Sequence, residues 1–86
     1  MSMNTDKNEL LENTGKIHTT AMGIDRIRKN LGLDKNVSDV VEFCKGKISC
    51  PDCRIYRQGK NWYCEIQGMR ITVNAYSYTI ITAHRI

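Results

Sequence analysis

The four cysteines of this 86-residue chain, Cys44, Cys50, Cys53 and Cys64, all lie within one short stretch. Cys50-Pro51-Asp52-Cys53 has the spacing of a knuckle whose tight turn lets two thiolates bind one ion. Pro51 restricts that turn, and Arg54 stands where such knuckles usually carry glycine. With Cys44 upstream and Cys64 downstream, the pattern Cys-x5-Cys-x2-Cys-x10-Cys supplies four thiolates. That donor set suits one structural zinc ion per chain, because it leaves no coordination position open for catalysis. Two other readings stand beside it. A redox Cys-Pro-x-Cys needs its first thiol at a helix N-terminus, whereas here Arg54-Ile55-Tyr56-Arg57 continues as a strand. Alternatively, Cys44 and Cys64 fill the core as small apolar side chains and the knuckle is two free thiols.

For the cysteines to meet, a helix, a turn and a sheet must converge on them. Asp6 and Glu9 fit a capping box ahead of Leu10 and Leu11, which predicts a first helix ending near Gly15. Thr19 or Thr20 caps a second helix, in which Ile24, Ile27 and Leu31 form one apolar stripe and Gly32 occupies the C-terminal cap. A third starts at Ser38 or Asp39, buries Val40, Val41 and Cys44, and runs out between Gly46 and Ile48. After Pro51 helical spacing gives way to alternation, with strands expected near residues 54–58, 61–67, 69–74 and 77–83. Gly59-Lys60, Gln67-Gly68 and Ala75-Tyr76 separate them. A two-residue loop at Gly59-Lys60 pairs Gln58 with Asn61 and Ile55 with Cys64, which puts Cys53 on the same sheet face as Cys64, ~7–8 Å away on the diagonal. The expected fold is a single α+β domain over residues 1–86. About three helices pack on one face of a four-stranded antiparallel sheet, with the zinc knuckle at the helix-to-sheet junction.

A chain of this length has a thin core, and folds of this size often gain stability from a metal, a disulfide or a partner chain. Hydrophobic residues at 41% and charged residues at 26% exclude a disordered tail. No apolar run approaches the ~20 residues of a membrane span. The start MSMNTDKNELLEN has neither the basic region nor the apolar stretch of a secretory signal, so a cytoplasmic location is expected. Thiols stay reduced there, which favours metal over disulfide chemistry. The formal net charge is +4, with the excess in residues 16–35 and 48–60. Arg26, Arg28, Lys29, Arg54 and Arg57 are accordingly the candidate contacts to an acidic protein surface or a phosphate backbone. So moderate an excess does not choose between those partners, and the choice between monomer and homodimer is not legible.

Three stretches carry a family resemblance: Ile17-His18-Thr19-Thr20 continuing to Leu33, Gly59-Lys60-Asn61-Trp62-Tyr63, and Val73-Asn74-Ala75 continuing to His84. In them the chain resembles a family of small uncharacterised bacterial and phage-borne domains, which implies kinship more than an activity. In length, fold class and cysteine count it is also similar to cysteine-containing type II-A anti-CRISPR proteins, small inhibitors of RNA-guided effector nucleases. That resemblance implies a zinc-stabilised inhibitor in a bacterial host cell, docking on the CRISPR effector protein and hindering target DNA loading. A chain of net charge +4 cannot mimic DNA over its whole surface, so its cations would face an acidic part of the effector.

An enzyme reading competes with this one. Helices followed by a four-stranded antiparallel sheet also resemble RelE-like and barnase-like ribonuclease toxins. His18, Arg26, Lys60, Ser77 and His84 would then supply the acid, base and phosphate-binding groups of RNA cleavage. Spacing alone does not bring them to one pocket. A third reading is a small nucleic-acid-binding module in which Trp62, Tyr63, Tyr76 and Tyr78 stack bases beside the cations.

Overall fold

The computed structural model describes the backbone of residues 2–86 and the side chains of residues 7–86. Helix α1 (Ser2–Glu12) leads through a 3₁₀ turn (Thr14–Lys16) to α2 (Ala21–Leu31) and α3 (Val40–Ile48). Strands β1 (Arg54–Gln58), β2 (Asn61–Ile66), β3 (Met69–Asn74) and β4 (Ile80–Arg85) follow. The α+β expectation therefore holds, with three helices ahead of one antiparallel sheet of order β1-β2-β3-β4. Among the described residues no helix is long and apolar enough to cross a membrane.

Local chemistry sets the helix ends. The Thr20 hydroxyl accepts from the Gly23 N–H at 3.0 Å and starts α2, while Gly32 at φ 66° closes it with a left-handed turn. Asp39 caps α3 by accepting from the Glu42 N–H, also at 3.0 Å. Helix α1 differs from expectation, since it begins at Ser2 and Asp6 falls inside it; the Asp6 carboxylate itself lies outside the described side chains.

The first hairpin has the expected register, Gln58 opposite Asn61 and Ile55 opposite Cys64. Gln67 and Gly68, at φ 51° and 73°, form the second turn and end β2 at Ile66, one residue before the expected boundary. The third connection departs further, because β4 begins at Ile80 and not near Ser77. Asn74 is the cause: its Oδ1 accepts the backbone N–H groups of Tyr76 and Ser77 at 3.0 and 2.9 Å, extending the expected Ala75-Tyr76 turn through Ser77. Tyr78 takes φ 61° in the same turn. Its carbonyl accepts from His18 N–H at 3.1 Å and His18 returns a bond to Ile80 N–H at 2.8 Å, so the segment before α2 is sewn to the sheet.

One core results. Leu10, Ile27, Leu31, Val40, Cys44 and Ile48 from the helices meet Ile55, Trp62, Cys64, Ile71, Val73 and Ile80 from the strands. Helix α1 lies by β1, α3 by β2 and α2 along β4, all on this one face. The residues that alternate with the inward set therefore form an opposite face that no helix covers among the described residues.

Candidate functional site

The hairpin register brings the Cys53 and Cys64 thiols into hydrogen-bond contact inside the core, with Cys44 close enough for its charge to act on Cys64. Burial pushes the Cys44 thiol up to about 11. Cys64 is also pushed up, first by its bond with Cys53 and then by burial, while that same bond pulls Cys53 down. Cys50 is half-buried, and its Sγ donates to the Gly46 carbonyl at 3.3 Å. Among the described residues, no three His, Cys, Asp or Glu side chains are grouped so as to hold a metal ion. The knuckle expected at the helix-to-sheet junction is thus not assembled, and the cysteines sit as free thiols.

The other candidates are dispersed. His18 and Ser77 do meet, through Thr79: its Oγ1 lies 3.2 Å from His18 Nε2 and 2.8 Å from Ser77 Oγ. His84 lies five residues further along the chain toward the far end of β4, roughly 16 Å at strand rise, so the two histidines share no pocket. Arg26 is exposed on α2, and Lys60 sits in the β1–β2 turn, where its carbonyl accepts from Ala75 at 2.8 Å.

The cations form no single patch either. Arg28 spends one guanidinium nitrogen on the carbonyls of Asp34 and Val37, both at 2.9 Å, and so staples the loop after α2. Arg57 donates to the Gly59 carbonyl at 2.9 Å and lies 5.7 Å from the Trp62 ring and 5.6 Å from that of Tyr76. Lys29 stays exposed on α2, while Arg54 stands on the open face. Trp62 is fully buried, which removes it from a base-stacking role, and the partly buried Tyr78 packs on it at 5.2 Å.

Chemistry does assemble on the open face. Register places Arg54, Glu65, Arg70 and His84 side by side, one per strand. Glu65 Oε2 accepts the Tyr56 hydroxyl and Arg70 Nε, each at 2.9 Å, and Arg70 Nη2 lies at the same distance. Oε1 has no protein donor among the described residues. Two residues along the strands, Tyr56 stacks on Tyr63 with ring centroids 5.5 Å apart, and the Arg54 guanidinium lies 5.4 Å from the Tyr56 ring. Thr72, opposite Tyr63, is 5% exposed and forms the floor between them and β4. The Tyr56 hydroxyl, and after it Arg70, hold the Glu65 carboxyl below its usual range, while the bond to Glu65 raises the Tyr56 phenol. The face therefore presents a carboxylate held ionised by its donors, beside two arginines, one histidine and two tyrosines.

Residues 11–84 match the family model described as a protein of unknown function, DUF3781. The chain belongs to this family. No curated protein and no solved structure matches it. The DUF3781 span takes in all three stretches that carry the sequence resemblance, together with the cysteines and the open-face row.

Of that row, the sequence reading had marked Arg54 and His84 but for separate roles, and it had missed Tyr56, Glu65 and Arg70. The signal was present. The two-residue turn that pairs Ile55 with Cys64 in this DUF3781 domain also pairs Arg54 with Glu65, and the next turn pairs Glu65 with Arg70. Reading outward-facing positions with the same register as inward ones exposes the site.

Proposed function

We propose that the DUF3781 domain binds single-stranded RNA on the open face of its sheet. The observation that carries this reading is the Arg54–Glu65–Arg70–His84 row beside the Tyr56–Tyr63 pair, on a face that no helix covers among the described residues. Unstacked bases rest on aromatic and guanidinium planes, arginines meet phosphates, and an antiparallel sheet presents both at strand spacing. The +4 net charge supplies a long-range attraction for a polyanion. Titration of a labelled single-stranded RNA at low salt should show binding that weakens as salt rises. Tyr63→Ala and Arg54→Ala should weaken it further while the fold holds. Wild-type protein that leaves such RNA unbound at low salt removes the reading.

A second surface favours the inhibitor reading. Met22, Arg26 and Lys29 recur at i, i+4 and i+7 on the outer side of α2. Met22, 68% exposed, and Ile81, 52% exposed, border a groove of about 280 Å³ between α2 and β4. Exposed apolar groups edged by cations suit an acidic protein surface such as the CRISPR effector would offer. Capture of the effector by wild type, lost in Arg26→Glu, supports this reading; DNA loading that proceeds unhindered removes it.

Zinc is a proposal of its own. Cys44, Cys50, Cys53 and Cys64 are the thiolates that would hold the ion, and four sulfur donors match its preference. Holding it requires Cys50 to leave the Gly46 carbonyl and the raised Cys44 and Cys64 thiols to ionise. In small zinc domains the apparent binding free energy of ~10–16 kcal/mol at pH 7 is what remains after the thiols have ionised. About one zinc per purified chain, lost to chelator together with cooperative melting, supports the proposal. Metal-free protein that melts unchanged removes it.

A further inference from the structure

Arg70 is the cross-strand partner of both Glu65 and His84, so a carboxylate and an imidazole flank one guanidinium. Two strand spacings separate the Glu65 and His84 backbones by roughly 10 Å, which lets both side chains lean over an anion seated on Arg70. Both groups have capacity to spare. Glu65 Oε1 accepts no protein hydrogen bond among the described residues, and neither His84 ring nitrogen has a partner there. The tyrosine pair lies roughly 7 Å along the strands, about the reach from a nucleotide's phosphate to its base. An arriving phosphate also competes for the donors that now quiet Glu65. As Arg70 and Tyr56 turn toward phosphate oxygens, the carboxylate loses hydrogen bonds and becomes the stronger base.

We infer that this row is a catalytic site that cleaves single-stranded RNA by internal transesterification, with Glu65 as general base, His84 as general acid and Arg70 on the phosphate. The inference rests on the RNA-binding reading of the same face. Glu65 Oε1 takes the proton of the 2′-hydroxyl as O2′ forms a bond to the adjacent phosphorus. The bond from phosphorus to O5′ breaks, and His84 in its imidazolium form gives its proton to that oxygen. The products are a 2′,3′-cyclic phosphate and a free 5′-hydroxyl. Solvent then takes the proton from Glu65 and returns one to His84, so the cycle balances within the RNA, two side chains and water. Arg70 neutralises the charge that builds on the non-bridging oxygens.

The test uses the full chain and an end-labelled single-stranded RNA, with binding and cleavage measured in the same samples. The expected result is fragments ending in 2′,3′-cyclic phosphate, at a rate with saturating RNA lowered ~10²–10⁴-fold in Glu65→Gln and in His84→Gln. A substrate carrying a single 2′-deoxynucleotide should resist cleavage at that linkage alone, a readout that does not depend on any variant folding. The pH profile of the wild type should be bell-shaped, each variant losing one limb. RNA that is bound but left intact overturns the catalytic inference and leaves the binding reading standing. Cleavage that persists at the wild-type rate in both variants also overturns it. Absence of binding by the wild type overturns the binding reading and this inference together.

Discussion

Along β2, Trp62, Cys64 and Ile66 enter the core while Asn61, Tyr63 and Glu65 alternate toward the open face. The two sets share one backbone, yet their surroundings act differently on the thiols of one face and the carboxylate of the other. On the closed face, burial pushes the Cys44 thiol up to about 11 and helps to raise Cys64. On the open face, donors from two neighbouring strands pull Glu65 down. Dry packing keeps the Cys44 and Cys64 thiols protonated and out of reach, and cross-strand hydrogen bonds keep the Glu65 carboxylate charged and accessible. The inward face consequently carries stability, and the outward face is where binding and chemistry are to be sought.

The strongest contrast comes from adjacent residues. Trp62→Ala should cost ~3–5 kcal/mol, because it empties a fully buried site. A domain of this length has roughly 4–13 kcal/mol of total stability, so the variant is near unfolding. Tyr63→Ala, one residue on, should leave most of the stability and instead weaken RNA binding by ~1–3 kcal/mol, the loss of a stacking partner. Denaturant titration and RNA titration of the two variants separate the faces. Equal losses of stability in both would make the open face structural.

How far these faces were legible in the sequence follows from what sets them. The alternation from Arg54 to Asn74 and the two Gly-containing turns are local, so the strands and their register could be read. The caps at Thr20 and Asp39 were legible for the same reason. Beyond that, side-chain competition decided. Asn74 captures the N–H groups of Tyr76 and Ser77 and so delays β4 beyond the expected start at Ser77. The turn register correctly set Ile55 opposite Cys64, but the direction of the Cys50 thiol depends on a free helix carbonyl at Gly46, which spacing does not encode. The basic residues marked as one surface were separated by tertiary packing, Arg28 to a loop staple and Arg57 to the aromatic end of the core.

A smaller effect sharpens the closed face. In metal-free protein Cys50→Ser keeps a donor for the Gly46 carbonyl at a half-buried position, so thermal or denaturant unfolding should shift by no more than ~0.5 kcal/mol. Loss of cooperative folding in this variant would show that Cys50 works with the other three cysteines, as zinc ligation requires.

The smallest effect concerns pH, where Glu65 of the open face and Cys44 of the closed face part by sign. Glu65 has a folded-state pKa below its unfolded value of about 4.3, so its stabilisation is fully present above that pH and is lost as pH falls through the folded value. Cys44 runs the other way. Its folded value of about 11 lies above that of an unfolded thiol, so the associated stability is complete below the unfolded value and drains as pH rises toward 11. Tyr56 belongs to the open face but shares this alkaline direction, since its bond to Glu65 raises it. Comparing Cys44→Ala with Tyr56→Phe therefore assigns the alkaline limb. On the acid side, the melting-temperature gap between wild type and Glu65→Gln should be present at neutral pH and close as pH drops below about 4. It should be small, because surface pairs are screened by solvent. A gap that stayed constant from pH 7 to about 3 would mean that ionised Glu65 gains nothing from Tyr56 and Arg70, and the row would then lack the held carboxylate on which its chemistry depends.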